Sequence, residues 1–241
     1  QPVAAFALHG GLAEQVVLPA ASCAPLPDGF DLEAAANFFI SWATSLYGLR
    51  EIGGVGDGET VLVLGASGST GTTAVQCSKA LGARVIACAS TDDKRAHCSE
   101  RGADRVVDYT ADGWRERVKE LTGRRAVDAV YDPVGGELAE PALRLLAPGG
   151  RYLVVGFVTG IATIPLNLPL LKRCSIHGVN WGGSVMADPS VVPPVIRTLV
   201  DWTAAGRINP APSAVYPLER AGEAFAALFG RRSVGGIVIA P

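Results

Sequence analysis

Three glycines, Gly65, Gly68 and Gly71, punctuate the stretch from Val61 to Gly71 (VLVLGASGSTG), directly after an apolar run and directly before a helical pattern. Glycine at each of these places does a different job. The first admits a tight turn. The second lets the backbone approach an anion with no Cβ in the way, and the third lets a helix pack closely on a strand. A helix opening at that point turns its unpaired N–H groups toward the anion, and its dipole adds to the attraction. The chemistry this predicts is diphosphate binding, as in a dinucleotide cofactor.

The next strand decides which dinucleotide. A site for NAD carries Asp or Glu at that strand's tip, about 20 residues on, where it bonds the ribose 2′-hydroxyl. Here the run ends Ala87-Cys-Ala-Ser90-Thr91, with no acid at the tip. Ser90 and Thr91, followed by Lys94, suit a 2′-phosphate, which needs donors and positive charge. NADP(H) is therefore the expected cofactor. Asp92 and Asp93 come next, and a turn shifted by two residues would set a carboxylate there instead. Lys94 also fits the solvated first turn of a helix.

A turn of this kind needs a buried sheet behind it. Apolar runs at Thr60–Leu64, Arg84–Ala89, Arg105–Val107, Val127–Tyr131, Arg151–Val155 and Ser175–Val179 read as parallel strands. Helical patterns at Thr72–Leu81, Asp93–Arg101, Gly113–Leu121 and Glu137–Leu146 alternate with the first five. Continuous apolar runs separated by helices are what a parallel sheet covered on both faces requires. Gly82-Ala83, Gly102-Ala103 and Pro148-Gly149-Gly150 mark the turns. Short strands and prolines precede this region, with a helix-like segment over Leu32–Leu49 that opens at Asp31. Beyond it lie helical patterns at Val191–Ala205 and Leu218–Phe229 and a last strand over Gly236–Ala240.

The chain has 241 residues, 49% hydrophobic and 18% charged, with a formal net charge of −2, ample for packed cores and without a nucleic-acid footprint. No apolar run is long enough to cross a bilayer, and the first residues lack a signal-peptide pattern, so a cytoplasmic protein is expected. Cysteines at 23, 77, 88, 98 and 174 form no Cys-x-x-Cys pair, and His9, His97 and His177 lack ligand spacing. Reduced, mostly buried thiols and no metal site are expected. Gln1 opens without methionine, and Val3-Ala-Ala-Phe reads as a strand in mid-flow, which predicts that an N-terminal segment has been lost.

Several separated motifs together resemble the zinc-independent quinone oxidoreductases, the zeta-crystallin-like branch of the medium-chain dehydrogenase/reductase superfamily. Gly10-Gly-Leu-Ala-Glu14 with Val16-Val-Leu-Pro19 resembles the strand closing that family's GroES-like domain. Gly58–Gly68 resembles its cofactor turn, and Ala74–Ala83 the helix behind it. Val127–Gly136 and Ala147–Phe157 resemble two further strand ends, and Tyr216–Phe225 the penultimate helix. The resemblance implies an α/β fold, a Rossmann doubly wound parallel sheet plus a partial GroES-like β-rich substrate domain. Residues 1–45 would be the C-terminal part of the substrate domain, 46–182 the Rossmann domain, and 183–241 the return to the substrate domain.

The same resemblance implies roles by position. The pyrophosphate would lie on Ser67, Gly68, Ser69, Thr70 and Gly71, and the 2′-phosphate would meet Ser90, Lys94, Tyr109 and Arg232. Val134 and Gly135 would pass the adenosine side. Gly156, Phe157, Val179, Asn180 and Trp181 would surround the nicotinamide end, with Thr44 below it. Tyr109, Phe157 and Trp181 also suit plain core packing, and Arg232 plain surface charge. A homodimer is implied, pairing through the strand near Ser175–Asn180. Three departures stand out: Ser69-Thr70 for the family's glycine-valine pair, Gly236 for its usual lysine, and Tyr47 for a frequent histidine.

Zinc alcohol dehydrogenases share this pattern, but their catalytic-zinc cysteine would fall near Ile40 or Ser41, neither a soft ligand. Without a Lewis acid, quinones and α,β-unsaturated carbonyls accept hydride more readily than simple ketones. Tyr47 is the one candidate proton donor, and a structural role suits it as well. The expected function is hydride transfer from NADPH to a quinone or enone. An enoyl-thioester or 2-enal reductase is the alternative, as is a non-catalytic NADPH-gated binding protein. A fourth reading holds this stretch inactive, half its substrate domain being absent.

Overall fold

The computed structural model describes residues 1–7, 9–123, 125–230 and 232–241. Strands β1 (Val3–Ala5) and β2 (Cys23–Pro25) pair antiparallel, with Ala4 opposite Ala24. Between them the Gly10–Pro19 stretch forms no strand, contrary to the sequence reading, and Val17 is 99% exposed. Its backbone has no neighbouring strand among the described residues, and an unpaired strand does not hold its shape in water.

Helix α1 (Leu32–Ala35) starts at Asp31, whose carboxylate accepts the N–H groups of Glu33 and Ala34. The single helix expected over 32–49 is broken. Two π-helical stretches, Phe38–Trp42 and Tyr47–Ile52, flank α2 (Ala43–Leu46). The reason lies in the packing. From Phe38 to Leu49 only Ile40 is exposed, so this segment is buried nearly all round, which a one-faced α-helical pattern does not provide.

The central sheet consists of β3 (Thr60–Val63), β4 (Arg84–Cys88), β5 (Arg105–Val107), β6 (Val127–Asp132), β7 (Leu146–Val154) and β8 (Ser175–Gly178). All pairings are parallel, in the order β5-β4-β3-β6-β7-β8. Helices α3 (Ser69–Ala80), α4 (Asp92–Glu100), α5 (Trp114–Leu121), α6 (Ala139–Leu143) and α7 (Asn167–Lys172) make the crossovers. Side chains alternate along β3: Val61 and Val63 join one apolar core with Phe38, Trp42 and Leu46. Leu62 and Leu64 join the other, with Ile86, Val130 and Leu143. Winding reverses between β3 and β6, so the crevice at their carboxyl ends is where such a sheet takes a ligand.

The helix expected over 137–146 is shorter, a 3₁₀ turn at Gly136–Leu138 followed by α6. Strand β7 already begins at Leu146 and absorbs the Pro148-Gly149-Gly150 turn as a bulge. Leu146 pairs with Val127 and Arg151 with Ala129, so the extra β7 residues loop out, with Gly149 at φ +82°. The chain closes with α8 (Trp181–Ala187), α9 (Val192–Ala204), β9 (Ala214–Pro217), α10 (Ala221–Phe229) and β10 (Ile237–Ala240). Strands β9 and β10 pair parallel in a ribbon of their own. No helix among the described residues is long and apolar enough to cross a membrane.

Arg151 ties the amino end of the sheet together. It donates to both carboxylate oxygens of Glu59, at 2.9 and 2.6 Å, and to Gly53 O at 2.7 Å. Partial burial of Glu59 works to raise its pKa, but the Arg151 bonds and the Gly56 N–H outweigh it and hold the carboxyl below its ordinary value. A depressed folded pKa gives stability that is present above the unfolded value and lost as pH falls through the folded one. Arg151→Gln should cost about 1–2 kcal/mol in urea unfolding at pH 7 and less near pH 3. Equal losses at both pH values would contradict the pairing.

Candidate functional site

The glycine turn closes on itself through backbone contacts. Gly65 leaves β3 at φ +54°, and a Cβ there would stand 2.7 Å from Val134 Cγ2. Gly68 N–H donates to Gly65 O at 3.0 Å, and Thr72 N–H to Gly68 O at 2.8 Å. A Cβ on Gly71 would lie 2.2 Å from Gly65 O, so only glycine lets α3 sit this close to the strand. Gly68 is the N-cap of α3 and supplies no side-chain cap. The N–H groups of Ser69, Thr70 and Gly71 precede the first intrahelical bond, at the carboxyl end of β3. At Gly68 an added Cβ meets only Gly65 O, at 3.5 Å. The cradle thus fits a diphosphate.

A buried hydroxyl cluster fixes this helix end to the preceding segment. Ser41 Oγ lies 2.7 Å from Ser69 Oγ, and Ser45 Oγ lies 2.7 Å from Thr73 Oγ1 and 3.0 Å from the Tyr131 hydroxyl. Ser45 also donates to Thr70 O, and Thr73 to Ser41 O. Burial pushes the Tyr131 phenol up, and the Ser45 bond only partly opposes it, so the ring stays protonated. Sequence reading missed Ser45, Thr73 and Tyr131. The four-residue spacing of Ser41 and Ser45, which sets them on one helical face, was the available signal.

At the tip of β4 the strand ends on Cys88, and Thr91 caps α4 by accepting Lys94 N–H at 3.4 Å. Ser90, not Asp92, therefore occupies the tip. Asp92 belongs to the helix and pairs with Arg95. Arg95, also missed, reaches Asp108 at 2.9 Å and donates to Ala89 O, clipping the loops that carry Ser90 and Tyr109. Tyr109 is half-buried against the second core.

Asp132 organises the loop after β6. The carboxylate is 1% exposed and accepts Val134 N–H at 2.8 Å, Gly135 N–H at 2.9 Å and the Tyr152 hydroxyl at 2.6 Å. Burial first, then the Asp132 charge, pushes the Tyr152 phenol up and keeps it a donor. The loop so held brings Gly135 against Gly156, Phe157 and Gly160, where a Cβ would stand 2.6 Å from Gly160 O. Phe157 is 56% exposed beside it.

Of the residues expected around the nicotinamide end, Val179 and Trp181 pack against the π-helical segment, while Gly156 and Phe157 lie by the loop after β6. A Cβ on Gly48 would touch Val179 Cγ1 at 2.8 Å, and the Tyr47 and Trp181 rings lie 5.2 Å apart. Thr44, half-buried, precedes Gly48 by one turn. Two polar groups here are already engaged. Trp181 Nε1–H donates to Phe39 O at 2.7 Å from a buried ring, and Asn180 caps α8 by accepting Gly183 N–H.

Arg232 is not brought to the others. Its guanidinium donates to Ala226 O near the end of α10, a carbonyl that also accepts Gly230 N–H, and a cation is favoured at a helix C-terminus. Gly235, three residues on, does reach the turn: its N–H donates to Ser67 O at 2.7 Å. A Cβ on Gly235 would strike Ser213 Oγ and approach His97 Cε1 to 3.3 Å. His97 in turn lies 3.1 Å from Thr72 Oγ1, and burial, then Arg101, holds its imidazole below the ordinary value. Cys77, Cys88 and Cys98 are buried, and Cys23 and Cys174 half-buried, all as free thiols. Among the described residues no three His, Cys, Asp or Glu side chains gather as a ligand set.

A family model described as a zinc-binding dehydrogenase matches residues 69–201. The chain is 31% identical over 234 residues to the quinone oxidoreductase of Pseudomonas aeruginosa, covering 96% of this chain and 72% of that one. It belongs to the zinc-independent quinone oxidoreductase branch of the medium-chain dehydrogenase/reductase superfamily. The quinone oxidoreductase of Thermus thermophilus, whose crystal structures include a complex with NADPH, matches with a TM-score of 0.87 at 32% identity. That match covers 99% of this chain and 76% of that chain. A quinone oxidoreductase-like protein 2 homolog of Nematostella vectensis is 34% identical over 233 residues, 95% of this chain. The chain spans 64% of that relative's length.

Within this quinone oxidoreductase branch, the three sequence departures have local explanations. The Ser69 hydroxyl is held by Ser41, one of the two positions at which the alcohol dehydrogenases' zinc cysteine would fall. A Cβ on Gly236 would stand 2.6 Å from Asn37 Nδ2 and 3.6 Å from Ser69 Oγ, so a lysine stem there would displace Asn37. Tyr47 rests on Trp181, where it extends the aromatic wall.

Proposed function

We propose that this chain binds NADPH across the carboxyl ends of β3, β4 and β6, and that the protein reduces a quinone or an α,β-unsaturated carbonyl. The observation that carries the reading is the uncapped start of α3 at a turn where Gly71 leaves room for nothing but backbone. The N–H groups of residues 69–71 would hold the diphosphate, and Ser90 and Lys94 the 2′-phosphate. NADPH supplies the hydride. The protein's part is orientation and water exclusion, setting donor and acceptor carbons about 3–3.5 Å apart. Val179, Tyr47 and Phe157 would form that wall, with residues 1–45 and 183–241 contributing the substrate side.

Lys94→Glu is expected to weaken NADPH at least tenfold while leaving NADH nearly unchanged, measured by fluorescence titration. Equal losses for both would refute the 2′-phosphate role. Turnover with a quinone and with crotonyl thioester, on the longest available form of the protein, tests the acceptor class; no NADPH oxidation with any quinone or enone would overturn the reading. A homodimer through β8 is part of the proposal, since Ile176 on that edge and Leu166, Leu170 and Leu171 beside it are exposed. Sedimentation at micromolar concentration tests it.

A further inference from the structure

Away from the glycine turn, β2, the π-helical stretch at Phe39 and α9 line an open cavity of about 450 Å³. Cavities of roughly 300–1,000 Å³ with apolar walls and few polar groups are the usual form of small-molecule sites. The floor is made by Leu26, Phe39 and Ile196, all at most 5% exposed. The rim carries Pro25, Pro27, Pro189 and Pro193. A proline ring fixes φ, so a rim built from four of them is preformed and loses little freedom when a ligand enters. One charged side chain lines the cavity, Arg197, which is exposed and makes no ion pair with a carboxylate among the described residues.

We propose that this cavity is a second ligand site, distinct from the cofactor crevice, for an apolar chain or ring ending in a carboxylate. The apolar portion lies on Leu26, Phe39 and Ile196, and the carboxylate meets the Arg197 guanidinium, whose fork matches a carboxylate's two oxygens. A neutral ligand gains the walls but not the arginine. A cationic ligand of equal length is repelled at the rim.

Decanoate serves as the probe, titrated against the full chain by calorimetry, with decanol and decyltrimethylammonium for comparison. Saturable 1:1 decanoate binding is expected, at least tenfold tighter than the cation. Arg197→Gln should weaken decanoate about tenfold and leave decanol unchanged. Val200→Trp, which fills the cavity from α9, should abolish both while circular dichroism and thermal unfolding show a folded protein. Saturating NADPH should leave decanoate affinity unchanged, and a protein that fails to bind NADPH should still bind decanoate. No saturable binding, equal affinity for the cation, competition by NADPH, or full binding by folded Val200→Trp would each overturn the proposal.

Discussion

Gly68→Val should yield a folded protein whose NADPH affinity is reduced roughly 100-fold or more, about 2.7 kcal/mol. The backbone at Gly68 has φ −75° and ψ 171°, extended geometry that valine adopts without strain. The nearest atom to an added Cβ is Gly65 O at 3.5 Å, an ordinary contact, so the new methyls enter the crevice rather than the core. They occupy the volume in front of the α3 N–H groups. Gly71→Ala makes the contrast, since its Cβ would stand 2.2 Å from Gly65 O and 2.7 Å from Ala66 Cα, and backbone must move to admit it. That variant should lose about 1–3 kcal/mol or more of stability together with its binding. Urea unfolding and cofactor fluorescence separate the two cases. A folded Gly68→Val that keeps wild-type affinity would show that the turn does not hold the diphosphate.

Asp132→Ala is expected to destabilise the chain by about 3–5 kcal/mol, a larger cost than that of the exposed ion pairs. One carboxylate satisfies Val134 N–H, Gly135 N–H and the Tyr152 hydroxyl in a site 1% exposed. Removing it strands three buried donors at once. Asp132→Asn keeps one acceptor for the two N–H groups and should cost about 1–2 kcal/mol, as should Tyr152→Phe, which removes a single donor. Cofactor affinity should fall with stability in the alanine variant, because Val134 packs directly over Gly65. If alanine and asparagine variants unfold at the same urea concentration, the carboxylate is not what holds the loop.

The centre of the sheet was legible because β3, β4 and β6 are buried on both faces, and such strands read as unbroken apolar runs. Arg105–Val107 is found as expected, and Thr60–Leu64 and Arg84–Ala89 each end one residue early. The glycine turn was legible because each glycine answers a steric demand that backbone atoms impose. Helix interruptions were not. The π-helical turns around α2 arise from burial on every side, which is decided by α3, α9 and the sheet rather than by the segment itself. Pro148-Gly149-Gly150 reads as a turn locally, yet pairing with β6 draws it into β7 as a bulge. Within the candidate site, the glycines and Ser90 were named from motif. Ser45, Tyr131 and Asp132 were not, because their value lies in partners 28 to 86 residues distant, or in loop N–H groups whose direction the sequence does not state. Arg232 was placed by position along the chain, and the end of α10 captured it instead.

The most direct test is a co-crystal structure of this chain with NADPH. Diphosphate oxygens within about 3 Å of the Ser69, Thr70 and Gly71 backbone nitrogens, with the 2′-phosphate beside Ser90, are the predicted result. Nucleotide density lodged elsewhere, or a diphosphate held by side chains away from the start of α3, would contradict it.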